Sequence, residues 1–145
     1  NYLINYFQNY KISIYILRLF LIYGHDQKKP RLIPSLKDHI QKNIVFNVNS
    51  TNQLKDFSHI SDLYFYINKM LLSKKLTQDI FNFGSKNKFT IKQIITLIEK
   101  KYQKKLLMKL SKNININTYS SYPNITKLEN SFGKKKFHKL SAKNI

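Results

Sequence analysis

The stretch Ile12-Ser-Ile-Tyr-Ile-Leu-Arg-Leu-Phe-Leu-Ile-Tyr-Gly24 decides the fold. Its apolar residues are nearly continuous and rich in β-branched and aromatic types. A run of that kind, closed by a glycine, predicts a single strand buried on both faces, as in a parallel sheet covered by helices. Upstream, Leu3, Ile4, Phe7 and Tyr10 fall near helical spacing and predict the end of an amphipathic helix. Downstream, HDQKKPRLIP reads as a polar loop, and SLKDHIQKN as a short helix capped by Ser35 with Leu36 and Ile40 inward.

The alternation continues. Strands are predicted at 44–48 and 54–60, then a helix from Ser61 or Asp62. A buried-type strand follows at 78–84, and Thr90 caps a helix whose Ile91, Ile94, Ile95 and Ile98 form one stripe. A strand from 105 runs into a polar loop, and 122–133 reads as a turn and a short helix. The tail from Lys134 is basic and expected to be loosely held. Strands alternating with helices predict an α/β fold with at least partly parallel pairing.

Composition narrows the function classes. The 145 residues carry 26 Lys+Arg against 7 Asp+Glu, a formal charge of +19. With no Cys, a disulfide scaffold, a Cys-ligated zinc site and a thiol nucleophile are excluded. No apolar run approaches the ~20 residues needed to cross a bilayer. Residue 1 is Asn, without an initiator Met or a cleavable signal pattern, which suggests a fragment. The positive charge points to nucleic acid. Yet Lys outnumbers Arg 24 to 2, and Lys, Asn, Ile, Tyr and Phe share A/T-rich codons. A specialised nucleic-acid reader favours Arg for its forked and stacked contacts.

Five pieces of sequence, in order, add a second kind of signal. They are Arg18-Leu-Phe-Leu-Ile-Tyr-Gly24 followed by His25; Arg31-Leu-Ile-Pro34; Gln53-Leu-Lys-Asp-Phe57 with Ile60-Ser-Asp-Leu63; Phe81-Asn-Phe-Gly-Ser85 with Thr90-Ile91; and Asn124-Ile-Thr-Lys127 with Phe132-Gly133. Together they resemble the C-terminal half of an extended short-chain dehydrogenase/reductase. The subfamily is the NAD-dependent epimerases and dehydratases of nucleotide sugars, over roughly residues 1–137. The resemblance implies the last part of a Rossmann-like doubly wound sheet plus a small C-terminal α/β substrate-binding region. Residues 1–34 would end the NAD-binding domain, 35–137 would form the substrate-binding region interleaved with its sheet, and 138–145 a basic tail.

The resemblance also implies roles. Leu19 and Phe20 would lie beside the nicotinamide of NAD, or of NADP in its place. Arg31 and Leu32 would line the nucleotide pocket, with Val45, Phe46 and Val48 packing around the base. Leu21 stands where the family has Asn and cannot make that polar contact. Lys55 replaces the family's Arg and would meet the substrate diphosphate as a point charge rather than a fork. Asp56 is expected to anchor a turn and Asp62 to cap a helix. Asn117 stands near the family's acidic position. His25 beside Asp26 reads as a solvated loop pair, and the four His residues show no ligand spacing, so no metal site is predicted. Lys100, Lys101, Lys104 and Lys105 read as a solvated face at a helix C-terminus.

The family's Gly-rich phosphate loop and its Tyr-x-x-x-Lys pair are missing from this sequence, and Tyr2 and Tyr6 come too late to substitute. No catalytic residue is therefore assigned, most of the NAD contacts would come from elsewhere, and the chain alone is expected to be inactive. The resemblance further implies a nucleotide-diphosphate sugar as partner, a cytoplasmic homodimer and isomerase or lyase chemistry. Two alternatives stand beside it: a basic, ribosomal-type nucleic-acid-associated protein, and a homologue that binds nucleotide sugars without turning them over.

Overall fold

The structure, a computed structural model, describes residues 3, 5, 9, 10, 12–74, 78–110 and 120–145. The helix end expected over residues 1–10 lies mostly outside them, as do Tyr2, Tyr6 and Asn117.

The elements alternate along the chain. They are β1 (Ile14–Leu19), β2 (Leu21–Tyr23), α1 (Leu32–Lys42), β3 (Phe46–Val48), β4 (Leu54–His59) and α2 (Ile60–Leu71). After these come β5 (Gln78–Phe83), β6 (Lys88–Thr90), α3 (Ile91–Tyr102), β7 (Met108–Leu110) and α4 (Thr126–Phe132). Among the described residues, pairing is parallel for β1 with β5, β2 with β4 and β3 with β7, and antiparallel for β4 with β6. The α/β class with parallel strands is what the alternation predicts.

The opening stretch is not one strand. It breaks at Phe20, where the chain leaves β5 and takes β4 as its neighbour. The Phe20 N–H still donates to the Phe83 carbonyl at 3.4 Å, holding the two pairings side by side. Nor is it buried on both faces: Leu19 is 49% exposed and Leu21 37%. The physical reason is that neither side chain joins an apolar cluster among the described residues.

Two apolar clusters flank the strands. Tyr23 and Phe57 join Leu36 and Ile40 of α1 and the Ile stripe of α3 in one. Phe81 and Phe83 join Tyr66 and Met70 of α2 and Leu128 of α4 in the other, with Ile22 packed against it. Neighbouring Ile22 and Tyr23 thus serve opposite clusters, as the two-residue period of a strand requires.

Helix ends explain the remaining differences from sequence. α1 begins before Ser35, which lies inside the helix with its N–H on the Arg31 carbonyl at 2.9 Å. Pro34 fits because the first turn of a helix leaves its N–H groups unpaired anyway. α2 is capped by neither Ser61 nor Asp62. His59 is the N-cap, its Nδ1 accepting from the Ser61 N–H at 3.2 Å, and Asp62 lies fully buried in the first turn. α3 has the predicted Thr90 cap, extended to a capping box by Gln93. The tail is not loose: Leu140 and Ile145 are buried in the first cluster and Phe137 packs on the second.

Candidate functional site

The break at Phe20 places a cavity. Leu19, Phe20 and Leu21 cross from β1 to β2 there, while Arg31 and Leu32 open α1 opposite them. Together with Phe57 of β4 they line a cavity of about 420 Å³, closed further by Ile60 and Leu63 of α2. The cavity adjoins the carboxyl ends of parallel strands where the chain changes partner, the place where open α/β sheets form ligand crevices. Five of the residues singled out from sequence therefore meet at one site.

Local geometry holds the walls. Gln27 donates its side-chain amide to the Ile22 carbonyl at 2.8 Å, folding the loop after β2 back on its own strand. Gly24 lets that loop touch α2, since a Cβ there would meet Ile60 Cγ2 at 2.8 Å. Tyr23 is 2% exposed and packs edge-on to His59 with centroids 5.1 Å apart. Its hydroxyl has no hydrogen-bond partner among the described residues. Burial, reinforced by the charge of Asp62, pushes that phenol up to about 12. The hydroxyl is fully buried and stays protonated at any physiological pH.

The other sequence-derived positions lie elsewhere. Lys55 sits on β4 opposite Phe89 and bridges to Ser121. It shares a strand face with Phe57, two residues and roughly 7 Å along. Val48 is buried in the first cluster, Phe46 packs edge-on to His39 at 5.1 Å, and Val45 is 51% exposed just before β3. These three do not line the cavity. Asp56 anchors a turn as expected: its Oδ1 accepts from the Ser58 hydroxyl at 2.8 Å and the Ser85 N–H at 2.9 Å. His25 and Asp26 form a solvent-exposed pair. Among the described residues, no three His, Cys, Asp or Glu side chains gather as metal ligands, and no helix is long and apolar enough to cross a membrane.

Sequence reasoning left out Tyr23 and Gln27. Tyr23 was visible in a Tyr-Gly pair, but nothing in the sequence announced an unpartnered hydroxyl. Gln27 lies in a polar loop without a distinguishing pattern.

Comparison with known proteins places these residues in context. Residues 1–84 match the model of the NAD dependent epimerase/dehydratase family. A UDP-glucose epimerase of Bacillus subtilis (strain 168), YtcB, described as uncharacterized, is 30% identical over 95 residues, 65% of this chain and 30% of that protein. Among solved structures, UDP-glucuronic acid 4-epimerase from Bacillus cereus in complex with UDP-glucuronic acid and NAD superposes with a TM-score of 0.76 at 24% identity. That match covers 88% of this chain and 41% of the other. The UDP-glucose 4-epimerase of Thermus thermophilus in complex with NAD gives 0.75 at 17% identity, over 92% and 45%. The chain thus spans less than half the length of each of these relatives.

Proposed function

Because this chain belongs to the NAD-dependent epimerase/dehydratase family, we propose that it forms the sugar-nucleotide side of an enzyme that epimerises or dehydrates a nucleotide-diphosphate sugar. The single observation that carries this reading is the convergence of Leu19, Phe20, Leu21, Arg31 and Leu32 on one cavity at the strand switch. Those are five of the nine residues the family pattern assigns to the ligands.

The fit to NAD is partial and specific. Leu19 and Phe20 give an apolar edge suited to a flat ring, while the chain has no G-x-x-G-x-x-G turn to hold a pyrophosphate. When bound, NAD supplies the hydride acceptor and donor for the sugar carbon. This chain's own residues would do two things. The apolar walls exclude water from the ring and the sugar. Arg31 at the rim, with Lys55 further along, neutralises the diphosphate. The Tyr-x-x-x-Lys pair of the family pattern does not occur in this sequence, and by this reading the isolated chain should be inactive. The same reading includes a base pocket near Val45, Phe46 and Val48, a dimeric enzyme and a cytoplasmic site.

The test is to titrate the whole protein with UDP-glucose in the presence of NAD and follow the sugar by NMR. Binding with conversion supports the proposal. Binding without conversion supports the non-catalytic homologue, and absence of binding to both molecules overturns the reading.

A further inference from the structure

A second cavity, of about 560 Å³, adjoins the first and shares Gln27 and Ile33 with it. Its lining carries more charged side chains. Lys28 and Lys29 reach it from the loop after β2, and Lys37 and Asp38 from α1. The single acid is already neutralised twice, by Lys29 and Lys42, each 2.9 Å from an Asp38 oxygen. Among the described residues no carboxylate pairs with Lys28 or Lys37. Lys37 is half-buried, and its amine is pushed down by burial first and then by the like charge of Lys101. A partly desolvated cation facing further cations is costly unless an anion joins it.

We infer that this basic cavity is an anion subsite, taking a phosphate or carboxylate group through Lys28 and Lys37 from a ligand whose less polar body fills the adjoining apolar cavity. The site is separate from Lys55, the position the family pattern assigns to the diphosphate. For the body of the ligand it rests on the nucleotide-sugar reading above. For the anion it rests on the lysines alone.

The experiment compares the whole protein with its Lys28→Gln/Lys37→Gln variant against three probes: inorganic phosphate, UDP-glucose and UDP-glucuronic acid. Losing two charge-assisted contacts should weaken an anion at this subsite about tenfold or more. A loss confined to UDP-glucuronic acid places the sugar carboxylate there. An equal loss for both nucleotides places the diphosphate there, and a loss for inorganic phosphate alone marks a free-anion site. The first two outcomes support the subsite as proposed, and the third overturns its link to a ligand in the adjoining cavity. Affinities unchanged within about twofold for all three probes overturn it. Failure of the wild-type protein to bind either nucleotide would count against the proposed function, while the phosphate titration still decides the subsite. Circular dichroism confirms that the variant is folded.

Discussion

His138 Nδ1 lies 2.6 Å from Oδ1 of Asp62, a carboxylate with no exposure to solvent, although 76 residues separate them. The same carboxylate accepts the His138 backbone N–H at 3.0 Å and pairs with Lys135 at 3.1 Å. One buried acid at the start of α2 therefore anchors the middle of the tail, while Asn87 and Lys101 donate to the carbonyls of His138 and Ile145. That is why a segment with five lysines from Lys134 onward is docked rather than loose. Its cations and polar backbone have a buried partner, and Leu140 and Ile145 add apolar burial.

Removing that anchor should be expensive. Asp62→Ala leaves Lys135 and His138 facing an uncompensated buried site, and we expect a loss of about 3 kcal/mol in unfolding free energy. Limited proteolysis should then cut between residues 134 and 145 before the rest of the chain. A tail that stays as resistant as in the wild type would contradict this arrangement.

Stability should also depend on pH through His59. Burial, and then the neighbouring His138, push its imidazole below the ordinary 6.5, with Asp62 opposing in part. With the folded pKa below the unfolded one, the unfolded chain binds the proton more readily. The contribution is thus complete above about pH 6.5 and is lost as pH falls through the folded value. His59→Asn keeps a good N-cap while removing the titration. The stability advantage of the wild type over this variant should shrink on acidification below about pH 6.5. A constant difference from about pH 8 to pH 5 would refute the assignment.

Gly84 follows the end of β5 and lies under Pro123. A Cβ at that position would collide with the proline ring, meeting Cδ at 2.9 Å, and would lie 3.0 Å from Asp56 Oδ1. A proline ring cannot swing aside as a long side chain can. Gly84→Ala should therefore cost about 1–3 kcal/mol by overpacking. Adding Pro123→Ala should recover part of the loss, and a strictly additive double variant would rule out the clash as its cause.

Leu21 is the position where the cavity departs from the family pattern. In the whole protein, Leu21→Asn adds a hydrogen-bonding group to an apolar wall of the cavity, against which the proposed function sets the sugar. One added hydrogen bond, about 1 kcal/mol, should tighten UDP-glucose binding about fivefold. Calorimetric titration checks it, and weaker binding would mean that Leu21 serves a less polar ligand.

Much of the architecture was legible from residue order alone. The Ile91, Ile94, Ile95 and Ile98 stripe specified the buried face of α3, and Thr90 its start, because helix period and capping are local properties. Leu36 and Ile40 were visible as core for the same reason. Five ordered motifs, from the Arg18–Gly24 stretch to Phe132-Gly133, marked the family, and of the residues they singled out Leu19, Phe20, Leu21, Arg31 and Leu32 line one cavity. What residue order could not specify was decided at long range. The break at Phe20 depends on which strand offers the next carbonyl, here Phe83, and a continuous apolar run carries no mark of that choice. The role of Asp62 depends on a tail 76 residues away, so a local reading could see only a cap. The pairing of an apolar cavity with a basic one depends on where the loop after β2 folds against α1. Local propensity fixed the elements, and tertiary contacts between distant groups fixed the strand switch, the anchored tail and the site.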